Sequence, residues 1–424
     1  MSAERPRAAT RRRSTRRRST GFTLVELMVA LTGGLFLSLA VFALARDSGR
    51  FYQREARLAN ATVSGLIGFQ RLRADLARAG FLSTPNIFRD TSGVCGAPNA
   101  TWPVGLRNLA SIRLSEPDVK YDALTLNGRT PPVITLAGSY SSPDVFGAKV
   151  VPAGNNVILM LSTVEGASGL RRLGNGAMPD NATMNATFPA LRVLRIVQNG
   201  KQYYGQIVSA AGGVQPTVTI NSQPPIQFHS DNPLCGLREI GSGNAVSTIN
   251  VVNFIQYAVR PPQTPLAIDG YRNLFANSSD APGEAGRTEL TRVELDLNGQ
   301  VINGTEEIVA EYAVDLNLQV IAVTSFTGAS LTDPNVSIVS PGDAQFGTFT
   351  GPVFLTGNTP ELIRSVRVRL GVRSREGDRT ETLSNPATQG LFRFNIGSDI
   401  AEGFARVRTF QADVALHNQA SVVW

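Results

Sequence analysis

Few residues in this chain have the type and spacing that chemistry requires. The two histidines, His229 and His417, lie in no metal-binding spacing, and no H-E-x-x-H, Walker A or G-x-S-x-G motif is present. Four acidic residues in predicted loops could bind Ca²⁺, namely Asp231, Asp269, Asp280 and Glu284. They lack EF-hand spacing, so solvated loop charge is the favoured interpretation. We therefore predict no catalytic, cofactor or metal site, and a protein that is not an enzyme.

The two cysteines, Cys95 and Cys235, have two interpretations. An even pair in a domain exported to an oxidising compartment is consistent with one disulfide. The alternative is two buried thiols. The disulfide is the favoured prediction.

One carboxylate stands out, because Glu26 is the only charge in the apolar run 22–45. These 24 residues would form a helix of about 36 Å, which is enough to cross a bilayer core. A carboxylate at membrane depth costs a few kcal/mol and needs a partner. A cut after Gly21 would create an amine on Phe22, one helical turn from Glu26. The other explanation is that the acid favours the helix dipole and snorkels to the interface.

The positive charge is concentrated before this run. The first 21 residues contain one acid and eight arginines, which are Arg5, Arg7, Arg11, Arg12, Arg13, Arg16, Arg17 and Arg18. Removing them leaves 40 − 8 = 32 basic and 33 − 1 = 32 acidic residues. The arginines therefore indicate a topology signal that holds this end in the cytoplasm, and we expect the leader to bind no nucleic acid.

Two modes of export compete. An ordinary secretory signal would be cut at the A-x-A-like site Ala43-Leu44-Ala45, releasing a soluble adhesin or enzyme that starts at Arg46. Against it, the apolar run is longer than a usual signal core and contains Glu26. The other mode, a cut at Gly21-Phe22 that retains the helix, is favoured.

The segment Gly21-Phe22-Thr23-Leu24-Val25-Glu26-Leu27 closely resembles the prepilin signature. The resemblance implies that a prepilin peptidase cuts after Gly21 and methylates the amine of Phe22. It also implies that Glu26 meets the N-terminal amine of a neighbouring subunit and sets the axial register during filament growth. Gly33-Gly34 interrupts the span, where it could permit close packing or local melting, or be tolerated without a role.

The helical pattern continues beyond the membrane, to about residue 79. One apolar stripe contains Leu58, Leu66, Phe69, Leu72 and Leu76, with Thr62 as its weak point. The side chains predicted to face away from it are Arg57, Arg71, Asp75 and Arg78. Gly80 and Pro85 predict the end of the helix.

Several later segments resemble one branch of the pilin family. Residues 69–81 resemble the end of this helix in PilW-type minor pilins, although Ala77-Arg78 departs from the common pattern. Three further stretches resemble strands of PilW-type pilins and GspJ-type pseudopilins: a strand at 307–320, an edge strand at 363–374 and a closing strand at 406–418.

The middle of the chain is predicted to be β-rich. Short alternating runs recur at 133–136, 157–161, 193–197, 203–208, 217–220 and 251–259, separated by turn residues. The segments 171–187 and 272–287 are predicted to be polar loops. The predicted fold class is α+β, a long N-terminal helix packed on a large antiparallel sheet domain. The predicted divisions are a leader at 1–21, a membrane half at 22–45, a periplasmic helix half at 46–80 and a β-rich domain at 81–424.

The resemblance implies a minor pilin of a type IV pilus that primes assembly or forms the tip. Its expected partners are the prepilin peptidase, other minor and major pilins, the inner membrane and the pilus assembly platform. We expect a single-pass inner-membrane protein with a periplasmic domain that later enters the pilus. The nearest alternative is a pseudopilin of a type II secretion system, and the alternative of another class is the soluble adhesin or enzyme released after Ala45.

Overall fold

The computed structural model describes residues 22–90, 98–115, 131–163, 169–221, 224, 226, 228, 236–237, 247–260, 287–326, 334–341, 343–353, 357–375, 393–395 and 404–419. The chain divides into two compact units, Met1–Ala56 and Arg57–Trp424. Helix α1, Leu24–Ala77, begins in the first unit and ends in the second. It ends where Gly80 adopts a left-handed backbone with φ of 77°.

The second unit is mostly antiparallel β-structure. Its strands are β1 Ile112–Ser115, β2 Val133–Gly138, β3 Phe146–Ala153, β4 Asn156–Leu161, β5 Val193–Gln198, β6 Lys201–Ala211, β7 Thr217–Asn221, β8 Ser247–Arg260, β9 Glu289–Leu295, β10 Glu307–Ala310, β11 Ala313–Phe326, β12 Pro334–Val339, β13 Ile363–Arg373, β14 Arg393–Asn395 and β15 Phe404–Ala415. Its short helices are α2 Val104–Arg107, α3 Leu170–Leu173, α4 Asn181–Thr187 and α5 Phe346–Thr350, with 3-10 turns at Pro360–Leu362 and His417–Gln419. The predicted α+β class is confirmed.

Six strands form a closed ring in the order β8-β3-β4-β7-β6-β5, because β5 pairs back onto β8. Alternate side chains of these strands fill the interior, as Val157, Leu159 and Leu161 do on β4. Met184 and Phe188, from the α4 region, complete this core. All six predicted β runs of the middle region lie within strands.

Strand β8 belongs to two structures. Its first half pairs with β3 and β5 in the ring, and its second half pairs with β2 and β9. The second half thus sits in a sheet of order β1-β2-β8-β9-β10. A separate sheet has the order β12-β11-β13-β15-β14. One large core joins both sheets to α1, and it contains Leu72, Leu76, Ile255, Leu318 and Val368.

Helix α1 packs on this core with a face that is rotated from the predicted one. Leu58, Phe69, Leu72 and Leu76 are buried as predicted. Leu66 is 45% exposed, so its predicted place in the packed stripe is wrong. Asp75 is only 4% exposed, so its predicted outward orientation is also wrong. The rotation follows from glycines on the packed face, described below.

Three other expectations need correction. The predicted single strand at 307–320 breaks at Glu311-Tyr312, where Tyr312 has φ of 53° and the chain passes from one sheet to the other.

The predicted edge strand β13 lies in the middle of its sheet, between β11 and β15. Arg367 and Arg369 of this strand pair with acids on neighbouring strands, whereas Arg373 near its end is fully buried. The predicted polar loop at 171–187 contains α4 and part of α3. Of the second predicted loop, only Arg287 is described.

Candidate functional site at the two ends of the long helix

The start of α1 is held by a reciprocal cap between Thr23 and Glu26. The Glu26 carboxylate accepts hydrogen bonds from the backbone N–H and the hydroxyl of Thr23, both at 3.0 Å. The backbone N–H of Glu26 donates to the Thr23 hydroxyl at 3.3 Å. This capping box satisfies backbone donors that a helix start leaves free, and it places a negative charge at the positive end of the helix dipole.

The cap leaves the carboxylate on the surface beside Phe22. Both residues are exposed, Phe22 by 84% of its area. The predicted cleavage residue Gly21 lies outside the described residues, so of the predicted processing site the structure describes Phe22 alone. The Glu26 carboxylate is hydrogen-bonded within its own chain and is still accessible to a further cation.

The apolar run after this cap has no contacts that bury it. Every residue from Phe22 to Ala45 is exposed, and α1 is long and apolar enough to cross a membrane. The Thr32 hydroxyl donates to the Met28 carbonyl at 3.0 Å, and the Ser38 hydroxyl donates to the Gly34 carbonyl at 2.8 Å. The polar groups of the run are therefore satisfied within the helix, as a lipid environment requires.

Of the other candidate site residues considered in the sequence analysis, the structure describes only His417. His417 lies exposed in the 3-10 turn that follows β15. No group of three or more potential metal ligands occurs among the described residues. The positions outside those residues are Cys95, His229, Asp231, Cys235, Asp269, Asp280 and Glu284. The disulfide stays a prediction.

The other end of α1 carries a second carboxylate site, which the sequence analysis missed. Asp75 accepts a hydrogen bond from the Tyr257 hydroxyl of β8 at 2.7 Å and one from Arg292 Nε of β9 at 2.9 Å. The Asp75 backbone carbonyl accepts a bond from the Tyr140 hydroxyl at 3.1 Å. This cluster fastens the helix end to the sheet through a buried ion pair.

The electrostatics of this cluster agree with its geometry. Burial and the negative charge of Asp75 raise the pKa of Tyr257 far above its ordinary value, so its hydroxyl remains a donor. Burial and Asp75 likewise raise the pKa of Tyr140. Burial, the largest single influence, lowers the pKa of Arg292, but Asp75, Tyr257 and Glu294 together raise it by more, so the net shift is upward. Arg292 therefore stays protonated and pairs with the Asp75 carboxylate at 2.9 Å.

Two glycines set how closely α1 approaches the sheets. A Cβ on Gly68 would lie 2.4 Å from the Val309 carbonyl oxygen. A Cβ on Gly65 would lie 2.6 Å from a methyl group of Val372 and 2.7 Å from the Phe410 ring. The spacing Gly65-x-x-Gly68 puts both on one helix face, which is the sequence signal that could have located this contact. Because both glycines must face the sheets, their positions determine which side of the helix is buried.

The comparisons with known proteins bear on the helix start alone. No curated protein and no solved structure gave a significant match. Residues 16–44 match the family described as the prokaryotic N-terminal methylation motif. The matched segment contains Gly21-Phe22, the Thr23–Glu26 cap and most of the apolar run. This match supports a pilin or pseudopilin, which implies processing by a prepilin peptidase, assembly with other pilins and anchoring in a membrane.

Proposed function

We propose that the chain is a minor pilin of a type IV pilus, of the PilW type, that primes assembly or forms the tip of the filament. The observation that carries the proposal is the methylation motif at 16–44, followed directly by an exposed apolar helix that begins with the Thr23–Glu26 cap. On this proposal the first half of α1 anchors the subunit in the inner membrane and later packs in the filament. The second unit, in the periplasm, selects partners.

Glu26 would provide the register of assembly. The carboxylate is exposed and already negative at a helix start, so it can accept a neighbouring subunit's N-terminal amine in addition to the Thr23 donors. In an apolar filament core, where little water competes, such an ion pair is strong and directional. The amine would belong to Phe22 after cleavage at Gly21.

The size of the second unit favours a minor subunit. It runs from Arg57 to Trp424 and adds a closed six-stranded ring to its two open sheets. A domain of that bulk is difficult to accommodate at every position of a tightly packed filament.

The second candidate, a pseudopilin of a type II secretion system, shares the same N-terminal motif. Deleting the gene separates them, since loss of twitching motility supports the pilus and loss of protein secretion supports the pseudopilus.

The most direct test is the N-terminus of the exported protein, read by mass spectrometry. N-methylated Phe22 is the expected result. A mature protein that starts at Arg46 would instead be a soluble secreted protein, and one that keeps its arginine-rich leader would contradict the proposal. Replacing Gly21 with bulkier residues should progressively block maturation.

A second test separates processing from assembly. We expect Glu26→Val to be cleaved and methylated normally but recovered poorly in sheared filaments, because the register-setting acid is lost. Asp47→Val is the matched control, since Asp47 is an exposed acid on the same helix beyond the apolar run. Normal recovery of Glu26→Val would show that the ion pair is dispensable.

A further inference from the structure

The part of α1 that directly follows the apolar run carries a regular series of arginines. Arg46, Arg50 and Arg54 recur every four residues, so these positions lie on one side of the helix. Arg46 and Arg50 are both exposed. The two acids of this segment fall elsewhere, because Asp47 is about a quarter turn from Arg46 and Glu55 is on the opposite side. One side of the helix is therefore positive just beyond the apolar run.

The distance from Glu26 to Arg46 matches the thickness of a bilayer core. Residues 27–45 carry no charge, and Arg46 follows Glu26 by 46 − 26 = 20 positions. A helix rises about 1.5 Å per residue, so the two positions are about 30 Å apart, which is the thickness of the hydrocarbon layer. When Glu26 lies at one boundary of this layer, Arg46 lies at the other. Arg50 then lies about 6 Å further out, within the headgroup layer.

An aromatic pair follows at nearly the same level. Phe51 and Tyr52 are 61% and 73% exposed, and their rings contact each other edge to face with centroids 6.3 Å apart. Tyrosine is enriched at membrane–water interfaces, where its ring meets the acyl boundary and its hydroxyl meets water. Tyr52 lies about 9 Å beyond Arg46 along the helix, and helical side chains lean back towards the N-terminus. Two exposed rings beside the arginines are therefore consistent with a segment that lies in the membrane interface.

The arginines at this end of the apolar run oppose the topology signal at the other end. The eight arginines of the leader hold their end in the cytoplasm, and basic residues on the far side of a span weaken that preference. The series therefore has a cost for orientation, which a favourable contact at the membrane surface offsets. Guanidinium groups bind phosphate through two parallel hydrogen bonds, and basic residues next to a membrane attract anionic lipids.

We propose that Arg46 and Arg50 bind the phosphate headgroups of anionic phospholipids, in the leaflet at the C-terminal end of the apolar run. The lipid surface is the occupant because both exposed arginines stand at headgroup level, one bilayer core from Glu26, and carry the complementary charge. This contact would hold the subunit at a fixed depth in the membrane before assembly. The inference rests on the membrane anchoring that is part of the proposed function.

The experiment measures the lipid preference of the protein in bilayers. The native protein and its variants are purified from membranes, placed in phosphatidylcholine bilayers and probed with traces of spin-labelled phosphatidylglycerol or phosphatidylcholine. We expect the native protein to prefer phosphatidylglycerol, and Arg46→Gln/Arg50→Gln to lose roughly fivefold or more of that preference. Arg73→Gln is the matched control, since Arg73 is an exposed arginine of the same helix within the second unit. Equal preference in the native protein and the double variant would overturn the inference.

A second variant separates charge from other effects of substitution. Arg46→Lys/Arg50→Lys keeps both positive charges and should keep most of the preference for phosphatidylglycerol, and added salt should weaken the preference of the native protein. A leader that is still attached is common to all these proteins, so it cancels in the comparison. An unchanged lipid preference of Arg46→Gln/Arg50→Gln, together with its poor recovery in filaments, would show that the arginines contact another subunit and would overturn the inference.

The two proposals fail in different ways. If the arginines bind no lipid but the chain is an anchored pilin, the native protein stays in the membrane with methylated Phe22 and shows no preference for phosphatidylglycerol. If the chain is not a pilin, Phe22 is not methylated, and a cut after Ala45 would release the protein into the soluble fraction with Arg46 as its first residue.

Discussion

The two carboxylates near the ends of α1 have opposite environments. Glu26 is exposed, and its hydrogen-bond donors come from Thr23, three residues away. Asp75 is buried, and its donors Tyr257 and Arg292 are 182 and 217 residues away in the sequence. Glu26 can be changed without disturbing the second unit, whereas Asp75 is part of how that unit folds. An acid on this helix thus stabilises the folded unit in one case and, on the proposed function, serves assembly in the other.

Glycines on the same helix show the same contrast. Nothing lies within 4 Å of a Cβ placed on Gly33 or Gly34. At Gly65 and Gly68 the added carbon would collide with packed atoms. In the exposed half a glycine therefore costs only helix propensity, whereas in the packed half it permits the close contact on which the core depends.

The largest expected effect is that of Asp75→Ala. The change leaves the Tyr257 hydroxyl buried without its acceptor and removes the buried partner of Arg292, which keeps only a longer ion pair with the half-exposed Glu307 at 3.7 Å. We therefore expect a loss of roughly 3–5 kcal/mol in the free energy of unfolding. Denaturant unfolding of the detergent-solubilised full chain measures it. Glu26→Ala is the control and should leave the unfolding midpoint of the second unit unchanged. Equal effects of the two variants would remove the distinction between the two acids.

Tyr257→Phe sharpens the same contrast with a smaller change. It removes one donor to Asp75 and keeps the aromatic ring in the core, so we expect a loss of roughly 1.5–3 kcal/mol, the range for a bond to a charged group. In the double variant with Asp75→Ala the two losses should be less than additive, because they remove the same bond. Full additivity in this cycle would mean that the bond contributes nothing.

Gly68→Ala tests the glycine contrast. Its Cβ would meet the backbone oxygen of Val309, which cannot rotate away, so the helix must shift. Overpacking costs about 1–3 kcal/mol, and the gain in helix propensity of about 1 kcal/mol offsets part of it. We expect a lower unfolding midpoint for Gly68→Ala, with Gly33→Ala as the unaffected control. An unchanged midpoint for Gly68→Ala would show that the contact is loose.

The smallest effect is expected on the outer face of the second sheet. Arg367 donates to both carboxylate oxygens of Asp413, at 2.7 and 3.0 Å, and this lowers the pKa of Asp413. The folded pKa lies below the unfolded value of about 3.9, so the stabilisation is present above that pH and is lost as the pH falls through the folded pKa. We expect the free energy of unfolding of Asp413→Asn to fall slightly less steeply at acid pH than that of the native protein. The same pH dependence in both proteins would mean that solvent screens the pair completely.

Much of the fold follows from local patterns. The apolar run and its continuation predict α1 to within two residues at each end, and period-two runs predict the strands of the middle region. The position of β13 was mistaken because alternating arginines resemble the charges that protect an edge. Their partners, Asp315 on β11 and Asp413 on β15, become visible only when the neighbouring strands are known.

Other features depend on contacts that no local pattern encodes. The closed ring requires β8 to pair with both β3 and β5, which are far apart in the sequence. The burial of Asp75 depends on β8 and β9 in the same way. By contrast, the residues of the motif around Glu26, from Gly21 to Leu27, are contiguous in the chain, which is why that site could be proposed from sequence.

Strand β8 couples the closed ring to the β1-β2-β8-β9-β10 sheet, because it pairs in both. The strand is held by β3 and β5 over its first half and by β2 and β9 over its second. A fluctuation that unzips the ring along β8 must also loosen the strand that bears Tyr257, the anchor of α1. Tension transmitted through the helix would therefore reach the ring by way of one continuous backbone, and both parts would resist it together.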